Sequence, residues 1–271
     1  MTAPSSPPQA PPVSHISSRD NPGLKALRRL SQDSTAYRKQ GQVWLEGDHL
    51  CRAALARGVV PLQAVFSASY WALAQAQWAQ SAIKITVLTD ALFADISALD
   101  SPAAMGFVIG LPSATGLQPG LPSVILDRVQ DAGNVGSILR SASAFGFQQV
   151  IALQGTAGLW SPKVLRSGMG AHFGLRLVES ASLADLDDLG LPIIVTSSHQ
   201  GELIQAAALP QACAWAFGHE GQGVSSDLIA LAERCVRIDQ PGGEESLNVA
   251  AAAAICLHAS VCARTLGNGG G

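Results

Sequence analysis

Short apolar runs at regular intervals are the feature that most constrains the fold of this chain. Six of them alternate with helical stretches after residue 122, at 124–126, 150–153, 175–178, 192–196, 213–217 and 235–238. Successive positions in each run are apolar, so both faces of each predicted strand must be covered, as in a parallel sheet flanked by helices. The sequence therefore predicts an α/β domain over residues 123–271.

The first half of the chain alternates helical and extended patterns over residues 15–110. A short amphipathic helix around Leu24 and Leu30 opens this region, and it predicts a second, small α/β domain. Residues 111–122 contain three prolines and two glycines without a hydrophobic period, which indicates a linker. Residues 1–14 contain five prolines and few large apolar residues, so we expect a disordered tail there.

The composition excludes several classes of protein. A content of 48% hydrophobic and 14% charged residues is typical of a folded domain, and we find neither a signal peptide nor an apolar run long enough for a membrane span. A cytoplasmic location is the expectation. Five scattered cysteines and six dispersed histidines predict reduced thiols and no structural metal.

Positive charge is concentrated near the start of the chain, although the net charge is −3. The segment from Arg19 to Arg57 has eight Lys or Arg against four Asp or Glu, a local balance of 8 − 4 = +4. A nucleic-acid-binding surface and a solvated helix face explain this segment equally well.

Polar and glycine residues follow the predicted strands, where ligands of parallel sheets bind. These loops are residues 127–136, 196–201, 218–223 and 240–248. In the first loop Asn134 opens a helix that also contains Arg140, and the alternative is a helix cap and a surface arginine. In the third loop Glu220 lies between glycines in the order G-x-x-G-x-G, which differs from the dinucleotide-binding fingerprint. Glu220 could equally cap a helix.

The fourth loop leads from an apolar run into a long alanine-rich helix. Pro241, Gly242 and Gly243 form a turn, and Ser246 is in position to cap the helix. Exposed N–H groups at such a helix N-terminus can bind an electron-rich ligand. Taken alone, the segment is more simply explained as a tight turn followed by a capped helix.

Three motifs in this order resemble those of the SpoU (TrmH-type) RNA ribose 2′-O-methyltransferases of the SPOUT superfamily. They are N-x-G-x-x-x-R from Asn134, F-G-x-E-G-x-G from Phe217 and I-x-x-x-G-x-x-x-S-L-N-V from Ile238, and the match covers most of residues 123–260. The chain has Asp239 and Gln240 where Pro-Met is common in the family. In the first domain, N-P-x-L-K-x-L-R-R-L and L-E-G-D-H-L resemble the substrate-binding domain attached to these enzymes, which has an L30e-like fold.

The resemblance implies methylation of a ribose 2′-hydroxyl in ribosomal or transfer RNA by S-adenosyl-L-methionine. It also implies a trefoil knot near the C-terminus, a homodimer, and selection of the RNA by the first domain. Carried over by motif, the residues at the reaction centre are Asn134, Arg140, Glu220, Ser246 and Asn248. The residues that contact the cofactor are Thr196, Ser197, Gly218, Ile238 and Leu247.

Two other functions compete with this one. The first is a catalytically silent RNA-binding protein on the same scaffold, which the presence of all five polar motif residues disfavours. The second is a nucleotide-dependent enzyme with an ordinary dinucleotide-binding fold, which the order of the glycines in the third loop disfavours.

Overall fold

The computed structural model describes residues 11–99, 101–113, 116–198, 200–242 and 246–268. Most of the predicted tail and Gly243 of the predicted turn lie outside these residues. The chain divides into two compact units, and the boundary in the sequence lies between Pro112 and Ser113.

The first unit is built around a five-stranded mixed sheet. The strands are β1 (Val13–Ile16), β2 (Gln42–Glu46), β3 (Gln63–Ser67), β4 (Ile85–Leu88) and β5 (Met105–Gly110). Their order across the sheet is β1-β4-β3-β5-β2. Strands β1, β4 and β3 are parallel, and β5 is antiparallel to β3 and β2. The helices are α1 (Pro22–Gln32), α2 (Ala36–Gln40), α3 (Asp48–Ala56), α4 (Ala68–Trp78) and α5 (Asp90–Ile96). The predicted small α/β arrangement is present.

The prediction of a disordered tail is wrong for Val13 and Ser14. Both residues belong to β1, where Val13 is aligned with Ile85 and the Ser14 hydroxyl lies 3.1 Å from that of Thr86. The error has a physical cause, because the strand forms by adding to the exposed edge of β4. The backbone hydrogen bonds come from a segment about 70 residues away, which a local composition argument does not consider.

The second unit is a seven-stranded parallel sheet with helices. The strands are β6 (Ser123–Asp127), β7 (Gln149–Leu153), β8 (Arg176–Ala181), β9 (Ile193–Thr196), β10 (Glu202–Leu203), β11 (Ala214–Gly218) and β12 (Arg234–Arg237). Their order across the sheet is β10-β12-β9-β11-β6-β7-β8. All of these pairs are parallel, as the apolar runs predicted. The helices are α6 (Ala132–Ala144), α7 (Pro162–Gly168), α8 (Ser226–Leu231) and α9 (Val249–Asn268).

Much of the predicted linker is tied to the second unit. The backbone N–H of Gln118 donates to the side chain of Gln149 at 2.9 Å, and the N–H of Gly120 donates to the carbonyl of Leu189 at 2.9 Å. The carbonyl of Gly116 accepts from Arg176 Nε at 2.9 Å. Prolines and glycines therefore mark an extended segment here, and the second unit begins about ten residues earlier than the sequence predicted.

Candidate functional site

Four loops that the sequence singled out lie at one edge of the second sheet. Strands β12, β9, β11 and β6 are consecutive and parallel, so the loops that follow them emerge at the same carboxyl edge. Thr196 ends β9, Gly218 ends β11, and Ile238 directly follows β12. The fold thus gathers predicted cofactor contacts from three separate parts of the chain.

Gly218 occupies a position that only glycine can fill. A Cβ atom there would lie 2.1 Å from the carbonyl carbon of Gly223 and 2.2 Å from the backbone nitrogen of Val224. The loop after β11 therefore folds back tightly on the end of its own strand. Hydrogen bonds between the backbones of His219 and Gly223, at 3.0 and 2.8 Å, close this turn.

A chain of side-chain hydrogen bonds, the Asn–Glu–Asn relay, connects all three motifs. Asn248 Nδ2 donates to Asn134 Oδ1 at 2.9 Å, and Asn134 Nδ2 donates to Glu220 Oε1 at 3.1 Å. These residues are 114 and 86 positions apart in sequence. Three of the five predicted reaction-centre residues are thus joined in sequence, with Asn134 in the middle.

Glu220 holds the loop that precedes α6. Its carboxylate accepts hydrogen bonds from the backbone N–H groups of Gln130, at 3.2 Å, and of Asp131, at 3.0 Å. Partial burial raises the pKa of Glu220, but these bonds and the one from Asn134 outweigh it and keep the pKa below its usual value. Glu220 is therefore an anion that stabilises the first motif loop.

Neither Asn134, for which a helix cap was the alternative role, nor Ser246, which was predicted to cap the last helix, is a helix cap. Asp131 caps α6, since its Oδ1 atom accepts from the N–H of Asn134 at 2.8 Å, and Asn134 itself lies inside the first turn. Asn248 caps α9, since its Oδ1 atom accepts from Ala250 and Ala251 at 2.9 and 3.2 Å, while Ser246 lies before the helix. Because α6 already begins at Ala132, the side chain of Asn134 lies within the helix and bonds to Glu220.

Arg140 and Ser246 are exposed, and neither side chain forms a hydrogen bond with any residue that the structure describes. Leu247, with 40% of its surface exposed, lies beside Ser246 at the start of α9. The amide of Asn248 bonds to Asn134 and to the start of α9. Arg140 is thus available to a bound molecule.

Thr196 and Ser197 shape the loop after β9. Thr196 Oγ1 donates to the carbonyl of Ala216 at 3.4 Å, and the backbone N–H of Ser197 donates to the carbonyl of Val236 at 3.0 Å. These bonds connect the ends of β9, β11 and β12. Both residues therefore lie where the sequence placed them, at the carboxyl edge.

Sequence reasoning missed Asp127 and Arg128, which connect the first and third loops. Arg128 Nε lies 2.9 Å from Asp127 Oδ1, and Arg128 Nη1 donates to Gln222 Oε1 at 2.9 Å. The backbone of Arg128 is in the left-handed region, with φ of 59°. An Asp-Arg pair after a strand is a weak signal by itself, and a positive φ at a non-glycine residue leaves no mark in the sequence.

Other kinds of site find no support in the described part of the chain. No group of three or more His, Cys, Asp or Glu side chains in those residues is arranged to hold a metal ion. Of the helices in the same residues, none has the length and apolar character that a bilayer span needs.

Comparison with known proteins agrees with the motifs. The profile of the SpoU rRNA Methylase family matches residues 122–258. A Synechocystis protein named as an uncharacterized tRNA/rRNA methyltransferase is 32% identical over 91% of this chain and 93% of its own length. The 23S rRNA (guanosine(2553)-2′-O)-methyltransferase RlmP of Bacillus subtilis is 30% identical over 66% of this chain and 73% of its own length.

Solved structures also resemble this one. The crystal structure of an RNA 2′-O ribose methyltransferase superposes with a TM-score of 0.78 at 27% sequence identity, covering 93% of this chain and 100% of that one. A family profile that matches half of the chain and a relative that matches nearly all of it lead to one conclusion: the chain belongs to the SpoU rRNA methylase family.

Proposed function

We propose that this RNA methyltransferase transfers a methyl group from S-adenosyl-L-methionine to a ribose 2′-hydroxyl of ribosomal or transfer RNA. The observation that carries the proposal is the Asn–Glu–Asn relay, which joins the three motifs at the carboxyl edge of the sheet beside the exposed helix face that bears Arg140. The family match and the 2′-O-methyltransferases among its relatives give independent support.

The carboxyl edge suits the proposed cofactor. Ile238 is half-buried and Leu247 is exposed, so both offer apolar surface to an adenine ring, and the ends of three strands offer backbone groups. Gly218, Thr196 and Ser197 complete the set that would hold the cofactor. When bound, S-adenosyl-L-methionine supplies a methyl group on a positively charged sulfur, so the protein needs only to align the ribose oxygen and assist the loss of one proton.

Arg140 is proposed to orient the RNA. A guanidinium has a pKa above about 12 and donates hydrogen bonds in a fixed planar fork, so it is suited to holding a phosphate or the 2′-oxygen rather than to removing a proton. The exposed hydroxyl of Ser246 is proposed to assist in binding the ribose. Asn134, Glu220 and Asn248 would position these groups through the relay.

Replacement of Arg140 by alanine tests this function. We expect methyl transfer to fall by at least about 100-fold, because misplacing a reactant by a short distance has that effect, while cofactor binding persists. The control is Arg176→Ala, which removes a half-buried arginine on β8, a strand at the far edge of the sheet. Equal turnover by Arg140→Ala would contradict its role, and a wild-type protein that binds no S-adenosyl-L-methionine in calorimetry would contradict the proposed function.

A trefoil knot near the C-terminus is part of the proposal. The path of the chain supports it: β12 lies beyond β9, whereas α9 packs against α6 and β11 on the other side of β9. The chain therefore crosses from one side of β9 to the other between β12 and α9. This crossing supports the SPOUT arrangement, a rare exception to the rule that protein chains are not knotted.

A homodimer is proposed through α9. The exposed residues of this helix form a stripe spaced at three or four positions, namely Ala251, Ile255, His258, Cys262 and Thr265. Such a stripe is the part of the helix that the rest of the chain leaves uncovered, and small side chains allow a second helix to approach closely. Sedimentation of Ile255→Glu against the wild type tests this interface, and an unchanged mass would contradict it.

The first unit is proposed to be an L30e-like domain that selects the RNA. The protein is proposed to act in the cytoplasm. Its support is the motif resemblance and the +4 segment from Arg19 to Arg57. Because Lys and Arg bound to phosphates release counterions, affinity for RNA should weaken as salt rises. Charge reversal at the exposed Arg29 and Lys39 should flatten that dependence.

A further inference from the structure

Arg128 adopts a conformation that is unusual for its residue type. Its φ of 59° lies in the left-handed region, which is unfavourable for a side chain with a Cβ atom. This geometry turns the side chain back on its own neighbour: Nε lies 2.9 Å from Asp127 Oδ1, and Nη2 lies 3.2 Å from Asp127 Oδ2. Two parallel hydrogen bonds thus join adjacent residues in one ion pair.

The same ion pair contacts the loop after β11 at three points. Arg128 Nη1 donates to Gln222 Oε1 at 2.9 Å, and Nη2 donates to the carbonyl of Gly223 at 3.4 Å. Asp127, which is 3% exposed, accepts from the backbone N–H of Ser225 at 2.6 Å. The second half of this loop is therefore fixed to the end of β6.

The two loops hold each other. Asp127 and Arg128 in the first loop bind residues 222–225 of the third, and Glu220 in the third loop binds Gln130 and Asp131 in the first. Loss of either set would leave Glu220 on a loop held by fewer contacts with the end of β6. The family motifs include Glu220 but not Arg128.

We propose that Arg128 is a positioning residue of the methyl-transfer site: its guanidinium, aligned by Asp127, holds residues 218–223 in the conformation that binds the cofactor. The inference rests on the proposed function for the identity of that cofactor. The unfavourable backbone of Arg128 supports it, since strained residues persist where surrounding contacts determine them and are concentrated at functional sites.

A simpler role would be neutralisation of the buried Asp127 carboxylate. Such a role needs a positive charge near Asp127 but no contact with Gln222 or Gly223. The two roles therefore differ in what they predict for Gln222→Ala, a variant that leaves the ion pair intact and removes one exposed side chain from the loop.

The first experiment needs no cofactor. Arg128→Gly removes the guanidinium and accommodates the left-handed backbone without strain. Hydrogen exchange of the peptide that spans residues 217–227 should become about tenfold faster, the loss expected for one hydrogen bond to a charged group. Arg176→Ala provides the matched control. Unchanged exchange in Arg128→Gly would overturn the proposal whether or not the protein is a methyltransferase.

The second experiment measures the affinity for S-adenosyl-L-methionine by calorimetry. We expect the Kd to rise roughly tenfold in Arg128→Gly and roughly threefold in Gln222→Ala, with no further rise in the double variant, because both changes remove the same contact. Wild-type affinity in Gln222→Ala, or effects that multiply in the double variant, would overturn the proposal.

A further double variant separates positioning from stability. Asp127→Asn in the Arg128→Gly background removes the unpaired buried charge while keeping an acceptor for Ser225, so thermal stability should recover towards the wild type. The affinity for S-adenosyl-L-methionine should remain weak, because the contacts with Gln222 and Gly223 are still missing. If affinity recovers together with stability, Arg128 only neutralises Asp127 and the proposal fails.

Discussion

Glu220→Gln tests the Asn–Glu–Asn relay with a minimal change of shape. The glutamine oxygen can take the place of Glu220 Oε1 and keep the bonds from Asp131 at 3.0 Å and Asn134 at 3.1 Å. Its amide nitrogen then faces the N–H of Gln130, which donated to Oε2 at 3.2 Å. Two bonds become neutral ones, and the third is replaced by two donors facing each other.

The expected cost follows from these contacts. A hydrogen bond to a charged group contributes about 1.5–3 kcal/mol and a neutral one about 1 kcal/mol, so the three changes together cost a few kcal/mol in a buried site. Because Glu220 is exposed on one side, solvent screening reduces this to about 1–2 kcal/mol. That range corresponds to a roughly 5- to 30-fold increase in the equilibrium constant for local opening.

The pH dependence has a definite sign. The folded protein keeps the pKa of Glu220 below its usual 4.5, so the carboxylate stabilises the fold fully above that value and loses its effect as the pH falls through the lowered pKa. The difference between wild type and Glu220→Gln should therefore be largest at neutral pH and shrink in acid.

Native-state hydrogen exchange of the peptide that spans α6, together with methyl-transfer kinetics, measures these effects. At neutral pH we expect exchange about 5- to 30-fold faster in Glu220→Gln and a clear loss of turnover. Glu233→Gln, an exposed carboxylate before β12, is the control. Wild-type exchange and turnover in Glu220→Gln would refute the argument that the relay positions the site.

Three further predictions concern other parts of the second unit. Burial lowers the pKa of His172 to about 4, so the wild type should lose about 3 kcal/mol of stability as the pH falls from 6.5 to 4. Urea titrations of His172→Gln should lack this loss. Asn248→Asp keeps the acceptor that caps α9 but loses the donor to Asn134, so turnover should fall with little change in melting temperature. Asn248→Ala loses both, so its free energy of unfolding should also fall by about 1 kcal/mol. Equal melting temperatures for the two variants would contradict the cap. Gly136→Ala would bring a Cβ within 2.1 Å of Ser167 Oγ, so the free energy of unfolding measured in urea should fall by about 1–3 kcal/mol. Gly116→Ala is the control, and it should cause no change because Gly116 has open space around it.

Much of the fold was predictable because strand character is local. Each of the six apolar runs in the second half contributes to a parallel strand, with ends displaced by no more than three residues. The motif order also identified which loops would meet, since loops after parallel strands share one edge. Strand β1 was missed because its residues are ordered by β4, and nothing in a proline-rich neighbourhood indicates that edge.

The contacts inside the site depended on long-range geometry. The sequence alone determined the parallel sheet, the presence of Asn134, Glu220 and Asn248, and their membership of one family pattern. Only the tertiary structure decided that Asn134 bonds to both Glu220 and Asn248, and that Arg128 takes a left-handed backbone to reach Gln222. The physical reason is that helix and strand periodicity arises from neighbouring residues, whereas these hydrogen bonds join segments about 90 to 110 residues apart that only the sheet order brings together.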